Sequence, residues 1–145
     1  MKVRPAVSED FDAVTALLEE LGRPEVTDDT REECRAIFER QVADREAAHL
    51  VAEDEGAVVG FCSLHFRDRL NFTTPDAWVP DLIVAEGARR RGAGRALLEE
   101  AERQARERGC WMLTLESAHR RVEAHLFYTA FGMSDTAKSF EKRLD

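Results

Sequence analysis

Residues 88–98 read ARRRGAGRALL, and these residue types in this order suit the binding of an anionic diphosphate. Gly92 and Gly94 carry no Cβ, so the backbone can turn tightly and approach a ligand closely, presenting N–H donors as a helix begins. The helix dipole favours negative charge at the same place. Arg89, Arg90, Arg91 and Arg95 set four cations around those donors in a chain of formal net charge -8, so the positive charge is a local property. The loop lacks the Gly-Lys-Ser/Thr of a P-loop, and a Rossmann fingerprint needs a third glycine where Leu97 stands. Glu116 does fall near the distance expected of a ribose-binding acid, which keeps dinucleotide binding as an alternative.

The other reactive side chains give less direction. Cys34, Cys62 and Cys110 make an odd count with no Cys-x-x-Cys pair, the pattern of reduced thiols in a cytosolic protein and not of a zinc site. His49, His65, His119 and His125 show no ligand spacing on one helix, so the expected metal content is none.

The elements that must position the glycine loop follow from periodicity. Residues 77–84 form an apolar strand leading into it, although Pro80 cannot donate to a ladder and marks a bulge or an opened edge. Residues 93–108 form an amphipathic helix with Leu97, Leu98, Ala101 and Ala105 inward, Glu99/Arg103 and Glu102/Arg106 as i,i+4 pairs, and Gly109 as its stop. Upstream, residues 2–6 alternate as a short strand, and Ser8 offers an N-cap to a helix whose buried stripe is Phe11, Val14, Leu17, Leu18 and Leu21, stopped by Gly22 and Pro24. A more polar helix follows over residues 30–42, with Cys34, Ile37, Phe38 and Val42 as its apolar face. Residues 48–52 and 57–66 read as a hairpin around Asp54-Glu55-Gly56, and residues 67–76 as a polar loop. A strand over 111–116, a helix over 122–131 closed by Gly132, and a strand over 139–144 complete the chain. The order predicts an α/β fold in which residues 1–145 form one domain.

Composition agrees with that scale: 145 residues with 43% hydrophobic content suffice for a single core. Asp and Glu outnumber Lys and Arg by 29 to 21, which argues against nucleic-acid or anionic-membrane partners and favours a cationic or amine partner. No apolar run approaches the length of a signal peptide or a membrane span, so the expected location is the cytoplasm.

Leu82-Ile83-Val84 followed by Arg89-x-x-Gly92-x-Gly94 is similar to the acyl-CoA-binding motif of the GNAT N-acetyltransferases. The resemblance extends to Ala124-His125-x-Phe127-Tyr128 and Phe131-Gly132-Met133, where the family shows a Tyr and then Gly-Phe. Within the family, Arg121-x-x-Ala124-His125-x-Phe127-Tyr128 looks most like the branch that contains aminoalkylphosphonate acetyltransferases. The resemblance implies a mixed, mostly antiparallel sheet with a central splayed strand pair, flanked by about four helices. It implies acetyl-CoA as cosubstrate, main-chain groups of Leu82, Ile83 and Val84 on the pantetheine amides, and Arg89, Arg90, Arg91, Gly92, Ala93, Gly94 and Arg95 on the pyrophosphate. Ser117 and Tyr128 are implied as further cofactor contacts, and a homodimer as the assembly. Pro80 sits where a neighbouring strand would splay away to admit the pantetheine arm.

Acetyl transfer from a thioester to an amine needs a neutral amine, a polarised carbonyl and a proton for the departing thiolate. Tyr128, the sole tyrosine, has a reference pKa of about 10 against about 8.5 for a thiol, so it can protonate that thiolate, and the resemblance implies the same role. Where the family often carries a basic glutamate this chain reads Trp78-Val79-Pro80, which leaves Asp81 and Glu116 as candidate bases or as structural acceptors. Arg121 stands where the family often has an asparagine. A covalent acetyl-cysteine route lacks a cysteine beside a base, so direct attack in a ternary complex is expected. The acceptor is a primary amine of a small molecule or peptide, and the competing reading is a non-catalytic acyl-CoA sensor.

Overall fold

Glu55 and Gly56 both take positive φ, 52° and 81°, and close a two-residue turn of the kind that suits strand twist between β2 (Ala47–Asp54) and β3 (Ala57–Arg67). This hairpin is the centre of the fold in a computed structural model that describes residues 1–145. Its register begins Asp54↔Ala57 and Glu53↔Val58, then slips so that Ala52 faces Gly60. Val59 is the extra residue of a bulge, and every pair beyond it is displaced by one. On the outer side β1 (Lys2–Pro5) runs antiparallel to β2.

Two compact units divide the chain, Met1–Thr114 and Leu115–Asp145. In the first, α1 (Phe11–Leu21) and α2 (Arg31–Ala43) bury Phe11, Val14, Leu17 and Phe38 against Val51, Phe61 and Ile83 of the sheet. Ser8 does not cap α1: residues Ser8–Asp10 form a 3₁₀ turn, and Ser8 Oγ instead donates to Glu39 of α2. Asp10 takes the local role, accepting the Val7 N–H at 2.8 Å and the Arg4 guanidinium at 2.8 and 3.0 Å. Gly22 ends α1 at φ 108°. Ile37, expected on the apolar face of α2, is 39% exposed, because only Phe38 of this polar helix reaches the core while Cys34 and Val42 lie along its margin.

The single strand expected over residues 77–84 is two strands, β4 (Asp76–Val79) and β5 (Leu82–Val84), broken at Pro80 and Asp81. Both pair with β3, β4 across His65–Arg67 and β5 across Gly60–Cys62. Past β5, α3 (Ala93–Glu107) packs on the sheet face opposite α1 and α2, with Leu97, Leu98 and Ala101 fully buried. Gly60 makes room for it: a Cβ there would lie 3.0 Å from Leu97 Cδ1. On its surface Arg106 pairs with Glu102 as expected, but Arg103 chooses Glu100 and Glu107, and Glu99 goes to Arg95.

The strand expected over 111–116 is shorter, β6 (Leu113–Leu115), and the sheet order is β1-β2-β3-β4-β6 with β5 beside β3 alone. In the second unit α4 (Val122–Phe131) has the expected bounds and ends at Gly132, φ 102°. No strand forms over 139–144, where Phe140 and Leu144 are 90% and 92% exposed. Alternation alone supplies no partner for the main chain, and a strand persists only where its hydrogen bonds are taken.

Candidate active site

β5 has one paired edge and one open edge. The Ser63 N–H donates to the Asp81 carbonyl (2.9 Å) and the Ala85 N–H to the Val59 carbonyl (2.8 Å). In an antiparallel ladder such pairs recur at every second residue, so Ile83 also spends its main-chain groups on β3 while those of Leu82 and Val84 point the other way. No strand lies on that side, because β6 pairs with β4 and not with β5. Of the three residues expected along the pantetheine arm, Leu82 and Val84 therefore offer outward main-chain groups, and Ile83 offers packing. The Val84 carbonyl accepts the Arg89 Nε–H at 3.2 Å.

The open edge leads to the start of α3. Arg90 and Gly92 hold positive φ, 70° and 87°, and reverse the chain so that the helix begins at Ala93. No side chain caps it, and the first N–H satisfied within the helix is that of Ala96, on the Gly92 carbonyl (2.9 Å). The N–H groups of Ala93 and Gly94 precede it and have no acceptor inside the helix, which is the arrangement that binds phosphate oxygens. The arginines are less free than their number suggests: Arg89 lies 3.6 Å from Glu20, Arg91 3.1 Å from Asp54, and Arg95 2.9 Å from Glu99. Much of their charge is thus compensated, and the directed donors are main-chain.

At the strand break Asp81 uses both carboxylate oxygens. Oδ1 accepts from Arg23, just past α1, in an ion pair of 2.8 Å, and Oδ2 accepts the Ser63 hydroxyl at 3.0 Å. No motif or spacing singles out the polar side chains beside it. His49 faces Ser63 across β2 and β3, and the His65 ring stands edge-on to His49 at 5.6 Å between centroids and 5.9 Å from Trp78. Burial, with the His65 charge second, pushes the His49 imidazole below its ordinary value, against the opposing pull of Asp81 and Asp44.

Within the second unit, Glu116 lies exposed just past β6, and the Ser117 hydroxyl is buried without a hydrogen-bond partner. Tyr128 is half-buried on α4, its ring 5.5 Å from Phe127. His125 Nε2 donates to the Ala118 carbonyl (2.9 Å), which ties α4 to the loop before it.

Residues 12–133 match the family model described as Acetyltransferase (GNAT) family. The chain belongs to this family. It is 31% identical over 143 residues to the aminoalkylphosphonate N-acetyltransferase of Salmonella typhimurium, covering 99% of this chain and 91% of that one. A putative acetyltransferase from Agrobacterium tumefaciens superimposes with a TM-score of 0.88 at 25% identity, with 99% of each chain covered. The glucosamine-6-phosphate N-acetyltransferase from Arabidopsis thaliana does so with a TM-score of 0.85 at 24% identity, over 99% of this chain and 98% of that one.

This GNAT protein is an acetyl-CoA-dependent acetyltransferase of amines. The acetyltransferase carries three unpaired cysteines. Burial pushes the Cys62 thiol up to about 12, and it raises Cys110 as well, which makes both poor nucleophiles near neutral pH. No helix is long and apolar enough to cross a membrane.

Proposed function

We propose that this protein acetylates a small primary amine bearing an anionic group by direct attack on acetyl-CoA. The observation that carries the reading is the open edge of β5 running into the uncapped N-terminus of α3: one surface offers an amide-binding edge and then an anion-binding helix end. Acetyl-CoA supplies the thioester carbonyl. Leu82 and Val84 hold its pantetheine arm, residues 89–95 its pyrophosphate, and Ser117 and Tyr128 add further contacts. The pairing of Arg89, Arg91 and Arg95 with carboxylates supports a reading in which most of the diphosphate affinity comes from the N–H groups of Ala93 and Gly94.

Arg67 and Arg69 share one carboxylate, the buried Asp76, at 2.8 and 3.8 Å; with Asp68 the loop after β3 is neutral in sum, and the more distant, exposed Arg69 guanidinium is the group on which an anionic acceptor can dock. The Salmonella relative named for aminoalkylphosphonates supports that choice of acceptor. Tyr128 gives its proton to the departing thiolate. Asp81 holds the strand break open through Arg23 and Ser63, and Glu116 remains a polar group at the end of β6. Three unpaired thiols support a reducing compartment such as the cytoplasm.

The test is thiol release from acetyl-CoA in the presence of aminomethylphosphonate, glucosamine 6-phosphate and a lysine peptide. Release dependent on the phosphonate or phosphate amine is expected. Release with the peptide alone removes the anionic-acceptor reading, and coenzyme A binding without any amine-dependent release favours an acyl-CoA sensor.

A further inference from the structure

Acetyl transfer needs a group that takes a proton from the attacking nitrogen, and the carboxylates at the strand break do not offer one. Asp81 has one oxygen on Arg23 and the other on Ser63. Both of its oxygens are thus committed to holding the strand break. The same face of the sheet holds two imidazoles. His49 on β2 and Ser63 on β3 are register partners, and the main-chain carbonyl of His49 is turned the other way, onto Ala6 of β1 at 2.7 Å. They therefore form a non-hydrogen-bonded pair, whose side chains stand closest together. His65 lies two residues beyond Ser63 on that face, opposite Trp78.

The two rings have different surroundings. His49 is only 5% exposed, and both of its ring nitrogens are buried without a hydrogen-bond partner. Buried polar atoms left unpaired are uncommon and call for an explanation. His65 is half-buried and its ring makes aromatic contacts, to His49 and Trp78. With the diphosphate at the start of α3, the pantetheine arm runs back along β5 towards Asp81, so the thioester reaches the break beside which these rings stand.

We propose that His65 is the general base of acetyl transfer, and that His49 is the positioning residue that holds its ring. This assignment rests on the acetyltransferase reading given above and adds the proton acceptor. The C–N bond forms as the thioester C–S bond breaks; the attacking nitrogen loses its proton to the His65 imidazole, and the sulfur gains one from Tyr128. His65 then returns its proton to solvent. Burial, and next to it the His65 charge, disfavour the charged form of His49, so the buried ring stays neutral and serves to position its neighbour. The charged and titratable groups bearing on His49 are His65 on β3, Asp81 at the break and Asp44 after α2.

The experiment compares wild type, His65→Gln, His49→Gln and His49→Phe in kcat and kcat/KM against pH, with aminomethylphosphonate as acceptor. His65→Gln is expected to lower kcat by about 100-fold and to abolish the acidic limb of the profile, with coenzyme A affinity within about twofold of wild type. His49→Gln, which keeps a hydrogen-bonding side chain, is expected to move the limb without abolishing it. His49→Phe is expected to lower kcat further than His49→Gln. Wild-type kcat with an unchanged acidic limb in His65→Gln overturns the assignment. Should the variants fail to fold, the ring resonances of His65 in the wild-type coenzyme A complex decide: a shift on adding aminomethylphosphonate supports the assignment, and none overturns it. Absence of amine-dependent thiol release from the wild type sinks the acetyl-transfer reading itself, and is distinct from normal release by His65→Gln, which sinks only the base.

Discussion

Ser63 and Asp81 are bonded to each other three times: the Ser63 N–H donates to the Asp81 carbonyl, its hydroxyl donates to Asp81 Oδ2, and the same hydroxyl accepts the Asp81 N–H. These bonds fasten β3 to the point where β4 gives way to β5, next to a proline that has no N–H to contribute. Ser63→Ala leaves a buried N–H and a carboxylate oxygen without their partner. It is expected to destabilise the protein by about 1–3 kcal/mol in urea unfolding. A loss below about 0.5 kcal/mol would show that the break does not depend on this hydroxyl.

Two glycines fail for different reasons when a methyl is added. Gly92 has open space around its missing Cβ but sits at φ 87°, so Gly92→Ala strains the loop by about 1–2 kcal/mol and is expected to weaken coenzyme A binding through misaligned N–H groups. A methyl on Gly60 would meet Leu97 Cδ1 at 3.0 Å, and Leu97, itself fully buried, must shift to admit it, so Gly60→Ala is expected to cost about 1–3 kcal/mol of stability by overpacking. Titration with coenzyme A separates the two, because only the first variant should lose more affinity than stability.

Tyr128→Phe removes the hydroxyl of the proposed proton donor and keeps the ring. The expected result is a fall in kcat of about 100-fold with coenzyme A affinity within about twofold of wild type, read by thiol release and by calorimetry. Full activity in this variant rejects the acid assignment.

Acid should weaken the fold in two steps. His49 is held below its ordinary value of 6.5, so above that pH both states are neutral and its contribution is complete. Below pH 6.5 the unfolded chain takes a proton that the native ring refuses, and stability falls. Asp10 is held below 3.8 by the Arg4 hydrogen bonds, and the stability it gives is present above that pH and lost as pH falls through the native value. Melting temperatures across pH 2–8 should show both steps, His49→Gln removing the upper and Asp10→Asn the lower (the range is about that over which the two groups titrate).

The proposed diphosphate site was legible in residues 88–98 because its elements are local: Gly92, a run of arginines and a helix start lie close together along the chain, and Gly92 stands at φ 87° at the head of α3. Helix α4 was equally legible, since its span and its Gly132 stop are written in eleven consecutive residues. Less was visible where partners are distant. Asp81 reads as a candidate base or a structural acceptor, and only the fold shows Arg23, 58 residues away, on its carboxylate.

The imidazoles show the limit most clearly. The Asp54-Glu55-Gly56 turn fixes the pairing Glu53↔Val58, and continuing it unbroken would set Cys62 opposite His49. A single extra residue, Val59, sets Ser63 there instead and turns His49, Ser63 and His65 onto one face. The sequence by itself determined the family motif, the hairpin and the helices, because each is encoded by short-range spacing. The tertiary structure alone decided which polar side chains meet at the strand break, because a strand has period two and one bulged residue reverses every side chain beyond it.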